Sequence, residues 1–313
     1  KYMIEIKKLS KNYGSFKAVK NISFNINDGE IVGFLGANGA GKSTTLKVLT
    51  GYLTPTSGEI LINNLDITKH SHNIKKLIGY LPESNPLYSE MNVFDLLKFT
   101  ANIRDIKDSD FNKALNNVIS ECGLEGTLHK QVSECSKGYK QRIGLACAMI
   151  HDPKILILDE PVTGLDPNQI IEIRELIKKL GKKKLVLMSS HILQEIEATV
   201  DRIIIIDQGE IVADGSTKKL INKYKGNVQL KLEIKGSDKD AIKIMEDKIE
   251  HIKIKSIKTT KIGNIVNIEY AQKNDPREEI FKFIVKSKWS LIEMNPQSDN
   301  LEDIFRKLTK SKK

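Results

Sequence analysis

Residues Gly36–Thr44 read GANGAGKST, three glycines, a lysine and two hydroxyl residues that contain the spacing G-x-x-x-x-G-K-[ST]. The chemistry that needs this pattern is polyphosphate binding. Glycine lets consecutive backbone N–H groups turn inward as a nest for anionic oxygens, so Gly36, Asn38, Gly39 and Gly41 are expected to line a cradle. A helix starting at Lys42 adds the positive end of its dipole. Lys42 can reach β- and γ-phosphates, Ser43 can ligate Mg2+, and Thr44 can bind a phosphate oxygen. An ordinary strand–turn–helix can match the pattern by chance. Against that stand the buried strand pattern directly before it and the helical pattern directly after it.

A second constellation lies at Ile155–Pro161, ILILDEP. Four aliphatic residues place Asp159 at the carboxyl end of a core strand, where open α/β sheets bind ligands. There Asp159 can hold Mg2+ through water, and Glu160 can polarise the attacking water of phosphoryl transfer. Alone, two acids after four aliphatics could be a strand ending in solvent. Beside a phosphate cradle they have a shared task, with ATP and Mg2+ as the expected ligands.

The elements that must position these groups can be read from periodicity. Tyr2–Lys8 and Val19–Asn27 alternate apolar and polar residues, as strands with one wet face. Asp28-Gly29-Glu30 is a turn, and Ile31–Leu35 a buried strand leading into the cradle and the helix Lys42–Leu49. From Met91 to Ile150 the period is helical, with Val93, Leu96, Leu97, Thr100 and Ile103 on one face. Strands at Ile155–Leu158, Leu185–Met188 and Ile203–Asp207 enclose a helix at Ile170–Leu180. Strands alternating with helices predict an α/β fold with a parallel core sheet, flanked by an antiparallel piece from the early strands. The tail has its own order. Strand Val228–Ile234, helix Lys239–Ile249, strands Ile252–Ile257 and Asn264–Tyr270, helix Pro276–Val285 and strand Trp289–Met294 spell β-α-β-β-α-β, a ferredoxin-like α+β arrangement. A last helix, Leu301–Leu308, has Asp299 or Asn300 as N-cap. The expected boundaries are an ATP-binding domain over 1–220, with a helical subdomain near 90–150, and an accessory domain over 221–313.

Length and composition narrow the class. A chain of 313 residues, 40% apolar, suits two domains with real cores. No apolar run approaches the roughly 18 residues of a membrane span. Lys1–Ser10 alternates like a strand rather than a secretory leader. Cys122, Cys135 and Cys147 form no CxxC pair and no cluster with histidine, so neither zinc nor a disulfide framework is expected; Cys147 reads as core. The net charge is +10, of which the 23 Lys/Arg and 14 Asp/Glu beyond residue 215 supply +9. That basic tail is either a solvated lysine-rich face or a contact for nucleic acid or an anionic membrane surface.

With cradle and acids in place, the stretch from about Tyr2 to Gly215 resembles the ATP-binding subunits of ATP-binding-cassette (ABC) transporters. Cys135–Gln141, CSKGYKQ, resembles the family's signature, with cysteine for the usual leucine. The resemblance implies that Ser136 and Gly138 bind the γ-phosphate of ATP held by a facing subunit. Gly164–Pro167, GLDP, resembles the loop through which Asp166 communicates between the two sites. His191, in SSHILQE, resembles the switch histidine that contacts the γ-phosphate. Tyr13, in KNYGSFKAV, resembles the aromatic that stacks on adenine; a plain surface tyrosine is the alternative. The family's loop glutamine, which touches Mg2+ and the attacking water, is replaced by Glu83 in YLPESNPLY. Glutamate keeps an oxygen ligand but adds negative charge beside phosphate. The YLPE form resembles subunits that drive small ABC-2-type exporters, gliding-motility-associated subunits among them.

That resemblance implies an ATPase acting as a dimer, most simply of identical copies, with a separate transmembrane permease. It implies peripheral contact at the cytoplasmic face of the membrane and no nucleic-acid partner. Two rival readings are a soluble ABC ATPase working on nucleic acid or ribosomes, and a cassette that binds nucleotide without hydrolysing it. One cradle and no sustained heptads argue against the first, and the intact acids against the second.

Overall fold

Four antiparallel strands and six mostly parallel ones share the first of two units into which the chain divides, Lys1–Thr217 and Lys218–Lys313. The structure is a computed structural model, describing residues 2–224, 227–271, 273–297 and 301–310. In chain order the first unit contains β1 (Tyr2–Tyr13), β2 (Phe16–Asn27), β3 (Ile31–Leu35), α1 (Lys42–Leu49), β4 (Ser57–Ile62), β5 (Leu65–Asp66), α2 (Ser71–Leu77) and β6 (Ile78–Leu81). The helices α3 (Val93–Ile103), α4 (Asp108–Cys122) and α5 (Lys137–Met149) follow. Then come β7 (Ile155–Leu158), α6 (Pro167–Gly181), β8 (Leu185–Ser190), α7 (Leu193–Glu197), β9 (Arg202–Asp207) and β10 (Glu210–Gly215).

The larger sheet runs β10-β9-β3-β8-β7-β6, parallel throughout except for the β9–β10 hairpin. β3, β7 and β8 are buried at every residue, as strands covered on both faces must be. The smaller sheet, β2-β1-β4-β5, is antiparallel. One core joins the two. Alternate residues Val32, Phe34, Ile155, Ile157, Leu185 and Leu187 of the parallel sheet meet Ile4, Ile6, Phe24 and Ile26, together with Leu46 and Leu49 of α1. The Phe24 and Phe34 rings lie 5.8 Å apart within it. α3 is capped by Asn92, whose side chain accepts from the Asp95 N–H, and α4 ends at Gly123 with φ +63°.

The second unit opens with α8 (Thr217–Tyr224), which begins at the boundary, and holds β11 (Val228–Lys235), α9 (Lys239–Lys248), β12 (Ile252–Thr259), β13 (Asn264–Tyr270), α10 (Arg277–Lys286), β14 (Ser290–Gln297) and α11 (Leu301–Lys310). Its sheet order is β12-β13-β11-β14, antiparallel throughout, the ferredoxin-like order the tail predicted. Leu230, Leu232, Ile234, Val266 and Ile268 pack against Ile242, Met245, Ile280 and Ile284. The N-cap expected at Asp299 or Asn300 lies outside the described residues.

Differences from the expected elements have local causes. β1 runs on to Tyr13 because bulges near Leu9 break the alternation without ending the pairing. β10 is missed because it is a polar edge strand. α6 starts three residues early because Asp166 caps it and Pro167 suits a first helical turn. Cys147 is only half-buried, while Cys122 is fully buried. Among the described residues no helix is long and apolar enough to cross a membrane.

His151, just beyond α5, sets a pH limit on this unit. Its Nε2 lies 3.1 Å from the Ile78 carbonyl oxygen and donates to it, which fixes the tautomer of the neutral ring with its hydrogen on Nε2. Burial, then the nearby Arg104, push its pKa from 6.5 down to about 4. Between those values the unfolded chain binds the extra proton, so stability is full above about 6.5 and falls as pH drops toward about 4. Urea-unfolding midpoints should therefore fall on acidification through this window. His151→Gln, which keeps an N–H donor, should flatten the fall.

Candidate functional site

The loop from β3 to α1 uses glycine where its backbone leaves no choice. Gly39 and Gly41 have φ of +80° and +107°. A Cβ on Gly41 would lie 2.6 Å from the Ala18 carbonyl oxygen, and one on Gly36 would lie 2.5 Å from that of Ile206. The loop is thus pressed between β2 and β9. α1 begins at Lys42 without a side-chain cap, so its first-turn N–H groups are left for an anion.

Lys42 is folded back into this loop. Its Nζ donates to the carbonyl oxygens of Gly36 (2.8 Å) and Ala37 (3.3 Å). It also lies 3.3 Å from Glu160 Oε1, with both side chains only 5% exposed. In such a pair, removing one partner strands a buried charge.

The acids are set by the parallel pairing of β7 with β8. Ser189 Oγ donates to Asp159 Oδ1 (2.6 Å) and accepts from the Glu160 N–H (2.9 Å). Ser43 Oγ donates to the same Asp159 oxygen at 3.2 Å, so a hydroxyl and a carboxylate stand together as hard oxygen donors that fit Mg2+. Glu160 itself has φ +50°, a sparsely populated conformation for a residue with a Cβ. Its Oε2 accepts from Thr163 Oγ1 (3.1 Å) and from His191 Nδ1 (2.9 Å); facing a carboxylate, that nitrogen carries the hydrogen. The turn bearing His191 is pinned by Ser190, whose Oγ donates to Glu195 Oε2 (2.7 Å) and accepts from the Ile192 N–H (3.0 Å). Burial pushes the Glu195 carboxyl up.

Two clefts open onto this cluster. One, of about 340 Å³, is lined by Tyr13, Phe16, Asn38, Gly39, Gly41, Lys42, Ser43, Thr44, Glu83 and Glu160. Tyr13 and Phe16 present exposed rings at it. The other, of about 560 Å³, is lined by Ser43, Lys47, Glu83, Asn85, Lys137, Lys140, Gln141, Asp159, Glu160 and Thr163. Exposed Glu83 belongs to both walls.

Ser136, Gly138 and Asp166 form a separate group. Ser136 caps α5, accepting from the Tyr139 N–H (3.3 Å), and Asp166 caps α6, accepting from the Gln169 N–H (3.0 Å). The Gln169 amide lies against Gly138, where a Cβ would come within 2.7 Å of it. The two helix starts are therefore neighbours, but neither residue set lines the clefts of the cradle. Sequence reasoning missed Ser189, Thr163, Phe16 and the lysines 47, 137 and 140. Only Ser189 had a local signal, as a serine ending a buried strand beside His191.

The sequence model described as "ABC transporter" matches residues 19–163. The bacitracin transport ATP-binding protein of Bacillus licheniformis is 35% identical over 98% of this chain and 97% of its own length. The linearmycin resistance ATP-binding protein of Bacillus subtilis (strain 168) is 30% identical over 98% of both chains. Among solved structures, an ATP-binding subunit of an ABC transporter superposes with a TM-score of 0.64 at 30% identity, covering 71% of this chain and 93% of that one. A dimeric ATP-binding cassette in a post-hydrolysis state, bound to ADP and phosphate, does so with a TM-score of 0.62 at 25% identity, covering 68% and 98%.

Gly41→Ala tests the cradle without touching the acids. The new Cβ meets the Ala18 carbonyl in a conformation it disfavours. ATP affinity, read by titration with a fluorescent ATP analogue, should fall at least about tenfold, or about 1.4 kcal/mol, with the far-ultraviolet dichroism unchanged.

Proposed function

The chain belongs to the ABC transporter family as an ATP-binding, ATP-hydrolysing subunit, and we propose that two copies close on two ATP molecules to drive a separate membrane-spanning exporter. The observation that carries this reading is the separation of Ser136, Gly138 and Asp166 from the cradle. The Ser136 end of α5 is a helix start suited to an anion, and Ser136 itself lines neither cleft of its own chain, although Lys137 beside it reaches the one with Asp159 and Glu160. Facing copies would bring each such end to the other's cradle, so ATP would bridge the pair and its hydrolysis release it.

Within one copy the work divides among residues already in contact. The 36–41 loop and the start of α1 bind the phosphates, with Thr44 at the cleft wall. Tyr13, with Phe16 beside it, offers a flat apolar surface for the base. Ser43 and Asp159 would hold Mg2+, with Glu83 on the wall of both clefts. Bound there, the ion would neutralise charge on the phosphates. Glu160 acts as base for the attacking water, oriented by Thr163 and His191. Lys42 must leave Glu160 to meet a γ-phosphate, so nucleotide entry itself frees the base.

Exposed apolar side chains support a protein partner on the helical side. Tyr88 and Phe99 stack edge to face at 5.5 Å, and Tyr52 and Ile103 line a neighbouring cleft of about 590 Å³. A transmembrane permease is the occupant proposed here, which places the subunit at the cytoplasmic face of the membrane. Export is supported by relatives named for bacitracin transport and linearmycin resistance. The ferredoxin-like unit is proposed as an accessory domain.

Glu160→Gln should bind ATP within about threefold of the wild type and hydrolyse it at least about 100-fold more slowly. With ATP it should elute from gel filtration as a dimer. A monomeric elution volume would overturn the paired reading, and undiminished turnover the assignment of Glu160. Chelating divalent cations with EDTA should stop hydrolysis in the wild type and let excess Mg2+ restore it.

A further inference from the structure

The loop that carries Glu83 is fastened to α5 by one carboxamide. Asn85 Nδ2 donates to the Lys140 carbonyl oxygen (2.8 Å) and to Gln141 Oε1 (3.3 Å). The same Gln141 side chain then donates from Nε2 to the carbonyl oxygen of Pro161 (2.7 Å), the residue after Glu160. The chain of bonds fixes which end of each amide points where, because a swapped amide would set oxygen against oxygen. Asn85 takes a left-handed backbone, φ +40°, which asparagine tolerates better than most residues. α5 makes room for it: a Cβ on Gly144 would stand 2.2 Å from Asn85 Oδ1 and 2.6 Å from its Cγ and Nδ2. A glycine in mid-helix costs stability, so its presence here is explained by the side chain lying against it.

We infer that Asn85 and Gln141 are positioning residues for hydrolysis, a relay that makes the Glu83 loop, the helix starting at Ser136 and the Pro161 turn move together. The inference rests on the reading of Glu160 as base. Glu160 holds a backbone conformation that persists only where its surroundings enforce it. On its N-terminal side the Ser189 hydroxyl holds it, and on its C-terminal side Gln141, through the Pro161 carbonyl, acts together with the Thr163 N–H, which donates to the Glu160 carbonyl oxygen (3.2 Å). A shift of the 82–88 loop, when nucleotide meets Glu83 or a partner meets Tyr88, is thereby delivered to the aim of the base. Neither relay side chain needs to touch the nucleotide.

The test uses the full chain with its own ATPase rate and ATP affinity. Asn85→Ala and Gln141→Ala should each lower kcat about tenfold or more while ATP affinity stays within about twofold, and the double variant should be no slower than the slower single. Gly144→Ala should slow the wild type comparably, by displacing the carboxamide, yet cost nothing further in Asn85→Ala, where the space is free. Asn85→Asp, of equal size but without the N–H donor, repeats the test should Asn85→Ala misfold. Amide hydrogen exchange over 160–164 should quicken in all of these. An unchanged kcat in Asn85→Ala and Asn85→Asp, or an equal cost of Gly144→Ala in both backgrounds, overturns the relay. Glu160→Gln run alongside separates the two readings. If it is inactive while the relay variants keep full rate, the relay alone fails. If it stays active, the base assignment fails, and the exchange rates and the Gly144–Asn85 dependence still decide the relay.

Discussion

The Ser189 hydroxyl gives its hydrogen to Asp159 and takes one from the backbone of Glu160. Both bonds are possible only because β7 and β8 run parallel and in register, Leu158 opposite Met188, so that the end of one strand looks across at the end of the other. Take that register away and the carboxylate expected to hold the metal and the one expected to activate water lose their common anchor. The phosphate loop depends on the same sheet, since β3 pairs with β8 on the other side and ends beside Ser190. The apolar strands thus act as a jig: their burial sets the register, and the register sets the spacing of polar groups at their carboxyl ends.

Much of this was legible in the sequence, for reasons that differ by residue. Gly39, Gly41 and Lys42 were readable because a phosphate loop needs glycine torsions and a lysine at fixed spacing, and that need is local. Asp159 and Glu160 were readable because four buried aliphatics announce a core strand and its end. The ferredoxin-like tail was readable because its strands alternate cleanly, as in Val228–Lys235. Asn85, Gln141 and Thr163 were not. Asn85 meets a helix 55 residues away, and nothing in either stretch records the meeting except Gly144, a glycine inside a helix. The β10 strand was hidden by its polarity, because edge strands satisfy only half the pattern that marks buried ones.

The replacement of an amide by Glu83 is better understood with its surroundings in view. Alone it would add a third carboxylate to Asp159 and Glu160 and repel phosphate. The cleft it lines also contains Lys47, Lys137 and Lys140. The lining of that cleft thus carries three acids and three lysines, so the added charge enters a cleft whose acids are matched in number by cations. None of these lysines belongs to the phosphate loop, so this balance is a property of the assembled cleft.

The left-handed backbone of Glu160 has a consequence for how this protein can change over time. A residue with a Cβ held at φ +50° sits in a sparsely populated conformation whose cost is of order 1–3 kcal/mol. Glycine, or the more tolerant asparagine, would relieve that cost, yet either would leave the buried Lys42 ammonium, 3.3 Å away, without its partner, a loss of about 3–5 kcal/mol. The ion pair outweighs the backbone strain, so selection for heat resistance alone, in a laboratory or in a hot spring, has nothing to gain by giving up the glutamate at position 160.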